Sequence, residues 1–110
     1  MREKNFEDKI KNWLETKGIY RLGTPKQNKT VPDRGNYFKM WGGGFQQAGI
    51  PDLICNINGK FVAIEVKGTG GRPSTLQELN IEAINSSNGL GMIVYPDDFE
   101  WLKNEIERLL

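Results

Sequence analysis

Histidine is absent from the 110 residues, and cysteine occurs once. The first absence excludes a histidine general base, a Ser-His-Asp arrangement and zinc sites of the usual kind. The second excludes an internal disulfide, and Cys55, in the middle of an apolar run, reads as a small buried hydrophobe. No apolar run approaches the length of a membrane span, and the opening MREKNFEDK carries no apolar signal core. The expectation is a cytoplasmic protein with no membrane partner. Neither sign of charge dominates: 15 Lys and Arg stand against 14 Asp and Glu, a net charge of +1. Any affinity for nucleic acid must therefore come from a local patch. With 37% hydrophobic and 26% charged residues, the chain reads as one globular domain, 1–110, with one modest core. Without histidine, carboxylates and lysines are left to do acid-base or metal chemistry.

Those side chains meet in Gly49–Lys67, GIPDLICNINGKFVAIEVK. Asn58-Gly59 separates two β-rich apolar runs, the strongest short-range hairpin signal, because both residues accept the positive φ of a type I′ turn. With these two in the loop, Ile57 faces Lys60, Cys55 faces Val62, and Asp52 faces Glu65. Opposed residues of an antiparallel pair share a face, with Cβ atoms roughly 4.5–5.5 Å apart. Lys67, two residues on, shares that face with Glu65. The turn thus predicts two carboxylates and an ammonium in one cluster. Opposed like charges cost stability, and a divalent cation would remove the conflict. Mg²⁺ takes hard oxygen ligands, commonly one or two carboxylates with waters and a phosphate. Spacing alone equally fits two acids at exposed strand ends, one of them neutralised by Lys67.

Pro51-Asp52, followed after a hairpin by Glu65-Val66-Lys67, resembles the signature of the PD-(D/E)XK nuclease superfamily. Gly49-Ile50-Pro51-Asp52-Leu53, Ala63-Ile64-Glu65-Val66-Lys67 and the later Ser74 and Gln77 resemble more particularly the VRR-NUC family, in its short stand-alone form typical of phages. The resemblance runs from Glu7 to about Pro96. It implies an α/β fold, restriction-endonuclease-like, with a mixed central β-sheet flanked by helices.

The remaining segments fit such a fold. Phe6, Ile10, Trp13 and Leu14 fall at helical spacing over about Glu3–Lys17, with Gly18 as the stop. Glu7 borders that stripe; by itself it reads as a solvated first-turn acid or the i,i+4 partner of Lys11, and by the resemblance as a metal-site ligand, direct or through water. Ile19–Leu22 reads as a short strand. Residues 23–36 read as a long basic loop. From Lys17 to Lys39 six cations, Lys17, Arg21, Lys26, Lys29, Arg34 and Lys39, oppose Asp33 alone. This is the footprint a phosphate-binding surface needs, or simply a solvated flexible loop. Asn36–Trp41 reads as an aromatic strand leading into Gly42-Gly43-Gly44, and the resemblance assigns Lys39 to phosphate contact or support of the site.

After Lys67 a loop carries Arg72, which would face a phosphodiester if the loop borders the site. Ser74 and Gln77 then form a capping box opening a helix to about Asn85 on Leu76, Leu79, Ile81, Ala83 and Ile84. The resemblance also brings Gln77 to the metal site, two roles that would compete for one side chain, and puts Ser74 near the DNA. Met92–Tyr95 reads as a buried strand stopped by Pro96. Asp97 or Asp98 caps a last helix with a stripe of Phe99, Leu102, Ile106, Leu109 and Leu110. Strand, helix and strand from Val62 through Val94 imply a parallel pair.

What the resemblance implies is a divalent-metal-dependent endodeoxyribonuclease. Asp52, Glu65, the Val66 carbonyl and Glu7 would hold Mg²⁺ or Mn²⁺. Lys67 would orient the attacking water or stabilise developing charge, with Gln77 beside it. Lys39 and Ser74 would contact DNA by the resemblance, and Arg72, Lys26, Lys29 and Arg34 by their place in basic loops, the resemblance not extending to the role of the 23–36 loop. The substrate would be branched DNA such as a Holliday junction, cut by a homodimer, with Trp41, Phe45 and Trp101 available for the dimer surface or for the core. The alternatives are a general or flap-type nicking nuclease, and a non-catalytic DNA-binding accessory protein of replication or recombination.

Overall fold

The computed structural model describes residues 1–23, 29–40 and 48–110. Helix α1 (Glu3–Thr16) leads into β1 (Ile19–Arg21). Then follow β2 (Gly35–Lys39), β3 (Leu53–Ile57), β4 (Lys60–Val66), α2 (Thr75–Ser86), β5 (Leu90–Val94), a 3₁₀ turn (Pro96–Asp98) and α3 (Phe99–Glu107). The five strands form one sheet in the order β1-β2-β3-β4-β5. The outer pairs, β1·β2 and β4·β5, are parallel, and the inner two are antiparallel. The expected α/β architecture, a mixed central sheet with helices against it, is what the chain adopts.

The β3–β4 hairpin has the predicted register: Ile57 pairs with Lys60 and Cys55 with Val62. Asn58 (φ 52°) and Gly59 (φ 89°) both hold positive φ, as a type I′ turn requires. Side chains then alternate. Tyr37, Leu53, Cys55, Ile57, Val62, Ile64, Val66, Met92 and Val94 form one face of the sheet. They pack with Phe6, Ile10 and Leu14 of α1 and Leu102 and Ile106 of α3 in a single core. Phe99 closes its rim, edge-on to Phe6 (6.0 Å between centroids) and to Trp13 (6.5 Å).

Helix α2 lies on the other face. Ala63 pairs directly with Gly91, and these two small residues let the helix approach closely. Ile81, its buried residue, sits where a Cβ on Gly91 would touch it. Asn85 donates to the Gly91 carbonyl and accepts from its N–H (3.1 and 2.8 Å), satisfying groups that an edge strand leaves open.

Several expectations need correction. β2 begins at Gly35, inside the segment read as loop, and ends at Lys39. β5 starts at Leu90 and stops at Val94, because Tyr95 turns to cap the 3₁₀ turn that Pro96 opens, its N–H donating to Asp98 Oδ2 at 2.9 Å. In α2 only Ile81 is buried; Leu76 and Leu79 are about half exposed. The helix rests on the sheet along a narrow line, so apolar spacing alone overstates its buried face. Trp101 is also exposed, while Trp41 and Phe45 lie outside the described residues.

Core and surface apolar residues should therefore respond differently. Phe6→Ala removes a fully buried ring and its edge contact with Phe99; it should cost about 3–5 kcal/mol in urea unfolding. Leu79→Ala should change stability by no more than about 0.5 kcal/mol.

Candidate functional site

The hairpin register, carried one residue past the start of β3, sets Asp52 beside Glu65 at one end of the sheet. Backbone bonds fix the corner. Met40 N–H donates to the Asp52 carbonyl (2.7 Å), and Lys67 N–H donates to the Val94 carbonyl (2.9 Å). Gly49 (φ 80°) lies against α2, where any Cβ would strike Leu76 and Asn80, and Asn80 donates to its carbonyl at 2.8 Å. The chain can enter Pro51-Asp52 along this line only because residue 49 is glycine. Nothing in the sequence singled out Asn80 for this role.

The Asp52 carboxylate is anchored first by backbone: Oδ2 accepts the Val66 N–H at 2.8 Å. Its Oδ1 lies 3.6 Å from Lys39 Nζ. Glu65 is 2% exposed. Its Oε2 accepts from Gln77 Nε2 at 3.0 Å and lies 3.1 Å from Lys67 Nζ. Its Oε1 is buried without a hydrogen-bond partner among the described residues. Burial, reinforced by the nearby Asp52 carboxylate and only partly offset by Lys67, pushes the Glu65 carboxyl up to about 7.

Gln77 reconciles two roles that looked mutually exclusive. Its Oε1 accepts the Ser74 N–H (2.8 Å), completing the capping box with Ser74 Oγ and the Gln77 N–H (3.1 Å), while its Nε2 serves Glu65. The two ends of one amide do both tasks. Ser74 Oγ is accordingly spent on the cap.

Glu7 reaches the same corner from α1, on the opposite face of the sheet. It is buried between two lysines, bonded to Lys39 through Oε1 and to Lys11 through Oε2 at 2.9 Å. Burial works to raise its pKa, but the hydrogen bonds and charges of Lys39 and Lys11 outweigh it and hold the carboxyl below its ordinary value. For Lys39, burial works downward and is outweighed by Glu7 and Asp52, so its ammonium is held more firmly than usual. Among the described residues no three His, Cys, Asp or Glu side chains form a ready-made cation cluster. Asp52 and Glu65 come together; Glu7 stands apart, tied to its lysines. Lys11, which the helical spacing marked only as a partner for Glu7, is part of this arrangement.

The expected DNA-contacting residues separate. Lys39 belongs to the corner. Arg72 is exposed on the loop that follows Lys67. Lys29 and Arg34 lie at the far end of the sheet, beside a cavity of about 480 Å³ shared with Arg21, Asn36, Asn56 and Asn58. Lys29 is paired there with Asp33 at 3.2 Å and lies over the Tyr20 ring. Lys26 is outside the described residues.

The donor set suits a hard divalent cation: two carboxylates on one face, one with a buried unpartnered oxygen, next to the last peptide of a strand. Comparison of the chain with family models, curated proteins and solved structures returned no match.

The raised Glu65 carboxyl gives a signed pH dependence. Its folded value of about 7 lies above the ordinary 4.5, so the folded state binds more protons between those values. Glu65 therefore contributes stability that is full below about pH 4.5 and lost as pH rises through about 7. In EDTA, Tm should fall over that interval, and Glu65→Gln should flatten the fall.

Proposed function

We propose that the protein is a divalent-metal-dependent endodeoxyribonuclease of the VRR-NUC type. The observation that carries the reading is the carboxylate pair Asp52 and Glu65, two like charges set side by side, with Glu65 Oε1 buried and without a hydrogen-bond partner among the described residues. Asp52 and Glu65 would hold Mg²⁺ or Mn²⁺, with the Val66 carbonyl as a further donor; Glu7, whose two oxygens are bonded to Lys39 and Lys11, would act on the ion only through water or through Lys39. Such an ion supplies polarisation of a phosphodiester and a more acidic water. The chain's own residues do the rest. Lys67 Nζ, 3.1 Å from Glu65, orients the attacking water or meets charge developing on the phosphate. Gln77 fixes the Glu65 carboxylate in place. Arg72, on the adjoining loop, contacts the backbone of the substrate.

The substrate reading rests on the resemblance: branched DNA, cut by a homodimer whose two-fold axis supplies the paired nicks that resolution of a four-way junction requires. A small domain with no separate sequence-reading module suits recognition of DNA shape. Arg34, five residues before Lys39 at the start of β2, is roughly 17 Å from the corner at 3.3 Å per residue. That distance is about five base-pair steps at 3.4 Å each, a span that one duplex covers. Among the described residues no helix is long and apolar enough to cross a membrane.

One observation favours a second reading, a DNA-binding accessory protein without cleavage. Each acid of the corner already has an ammonium within 4 Å: Lys11 and Lys39 for Glu7, Lys39 for Asp52, Lys67 for Glu65. A gel assay decides between them, with Mg²⁺ or Mn²⁺ and a four-way junction, a 5′ flap, a splayed arm and a linear duplex as substrates. The expected result is paired symmetric cuts in the junction. Glu65→Ala and Lys67→Ala should each remain folded and cut at least roughly a hundredfold more slowly. Cleavage of flaps or linear duplex instead would keep the metal site and replace the substrate. DNA binding without cleavage would establish the second reading.

A further inference from the structure

Lys39 is shared between two acids of the corner. It projects from β2 on the core face, opposite Leu53, and its ammonium stands between two acids of different elements. Glu7 holds it directly, and Asp52 Oδ1 is 3.6 Å away, beyond hydrogen-bonding reach but well within strong Coulomb range. The two oxygens of Asp52 are thus unequal. Oδ2 is committed to the Val66 N–H; Oδ1 is turned toward Lys39. On the neighbouring residue, Oε2 of Glu65 carries both Gln77 and Lys67, and Oε1 has no hydrogen-bond partner among the described residues. The carboxylate oxygens of the pair that neither backbone nor amide holds are Asp52 Oδ1 and Glu65 Oε1, and these residues would hold a cation. Asp52 Oδ1 is the oxygen that Lys39 faces.

We propose that Lys39 is a placeholder cation: its ammonium neutralises Asp52 in the resting protein, and a divalent ion binding at Asp52 and Glu65 displaces it toward the substrate phosphate. The inference rests on the metal-dependent reading above. Glu7 makes the exchange possible. Because Lys39 is bonded to Glu7 and only electrostatically near Asp52, it can leave Asp52 without losing its main partner, and Lys11 keeps Glu7 charged throughout. Lys39 then works twice, first holding two like charges together without an ion and later presenting a positive charge beside the ion. The first role costs ion affinity, since a unit positive charge a few ångströms from the incoming cation opposes it.

The test is ion binding without DNA. EDTA-stripped wild type, Lys39→Met and Lys39→Arg are titrated calorimetrically with Mn²⁺, with circular dichroism to establish folding. Lys39→Met should bind Mn²⁺ on the order of tenfold more tightly than wild type, whereas Lys39→Arg, which keeps the charge, should stay near wild type. In parallel, the lysine side-chain NMR signals of wild-type protein are followed with Mg²⁺. The Lys39 signal, identified by its loss in Lys39→Arg, should shift as the site fills. Equal or weaker binding by folded Lys39→Met overturns the proposal. So does an unmoved Lys39 signal at saturating Mg²⁺, which decides the matter if Lys39→Met does not fold. If wild type binds neither ion, the metal-dependent reading falls and takes this inference with it. Binding by wild type without gain in Lys39→Met removes the inference alone.

Discussion

The repulsion between Asp52 and Glu65 is the constraint around which the surrounding side chains are arranged. The Asn58-Gly59 turn leaves no choice of register, because both residues hold positive φ and a slip of one residue would turn every core side chain of β4 outward. That same register puts the two acids side by side in a site closed to solvent on the Glu65 side. Removing a charge from water costs several kcal/mol even after relaxation. The fold answers with donors rather than distance: a backbone N–H for Asp52, an amide and an ammonium for Glu65. One oxygen is still left over. An arrangement selected only for stability would put an apolar pair at these positions, since such replacements are often neutral or favourable.

The two faces of the sheet are covered unequally. The α1 and α3 face carries the apolar core. The α2 face is thin, with small residues at Ala63 and Gly91 and one buried anchor at Ile81. A close helix is what the site needs, because Gln77 sits in the first turn of α2 and must reach Glu65 while closing the capping box. The same proximity explains Gly49, where the chain passes under Leu76 and Asn80 on its way to Asp52. The corner thus draws on both layers: Gln77 from one face, Glu7 and Lys39 from the other, and Asp52 where the two meet.

How much of this was legible in the sequence depended on the range of the interaction. The hairpin, its register and the Asp52–Glu65–Lys67 grouping follow from an Asn-Gly turn and period-two alternation, both local. The capping box of Ser74 and Gln77 is local too, but the dual use of Gln77 is not, since it depends on how closely α2 lies over β4. Leu76 and Leu79 misled because helical spacing reports an apolar stripe without saying how much of it the sheet can cover. The lysine bracket around Glu7 was half visible: Lys11 follows from i,i+4 spacing, whereas Lys39 arrives from 32 residues away. Of the basic residues that look like one patch in the sequence, Lys29 and Arg34 lie by the start of β2 and Lys39 at its end, because the strand runs between them.

The charge count of the corner bears on how an ion and a substrate would meet there. Glu7, Asp52 and Glu65 are matched by Lys11, Lys39 and Lys67, so the site has no large negative field to draw a dication from solution. On the proposed reading, ion and phosphodiester each remedy what the other lacks. The ion brings positive charge that the acids hold in place, and the phosphate brings negative charge that receives the one lysine, Lys39, that the ion displaces. Binding free energies are reciprocal: if DNA tightens the ion, the ion tightens DNA by the same factor. A nuclease corner built this way would stay nearly neutral and lightly loaded until a phosphodiester lies across it, which couples assembly of the catalytic site to the presence of substrate.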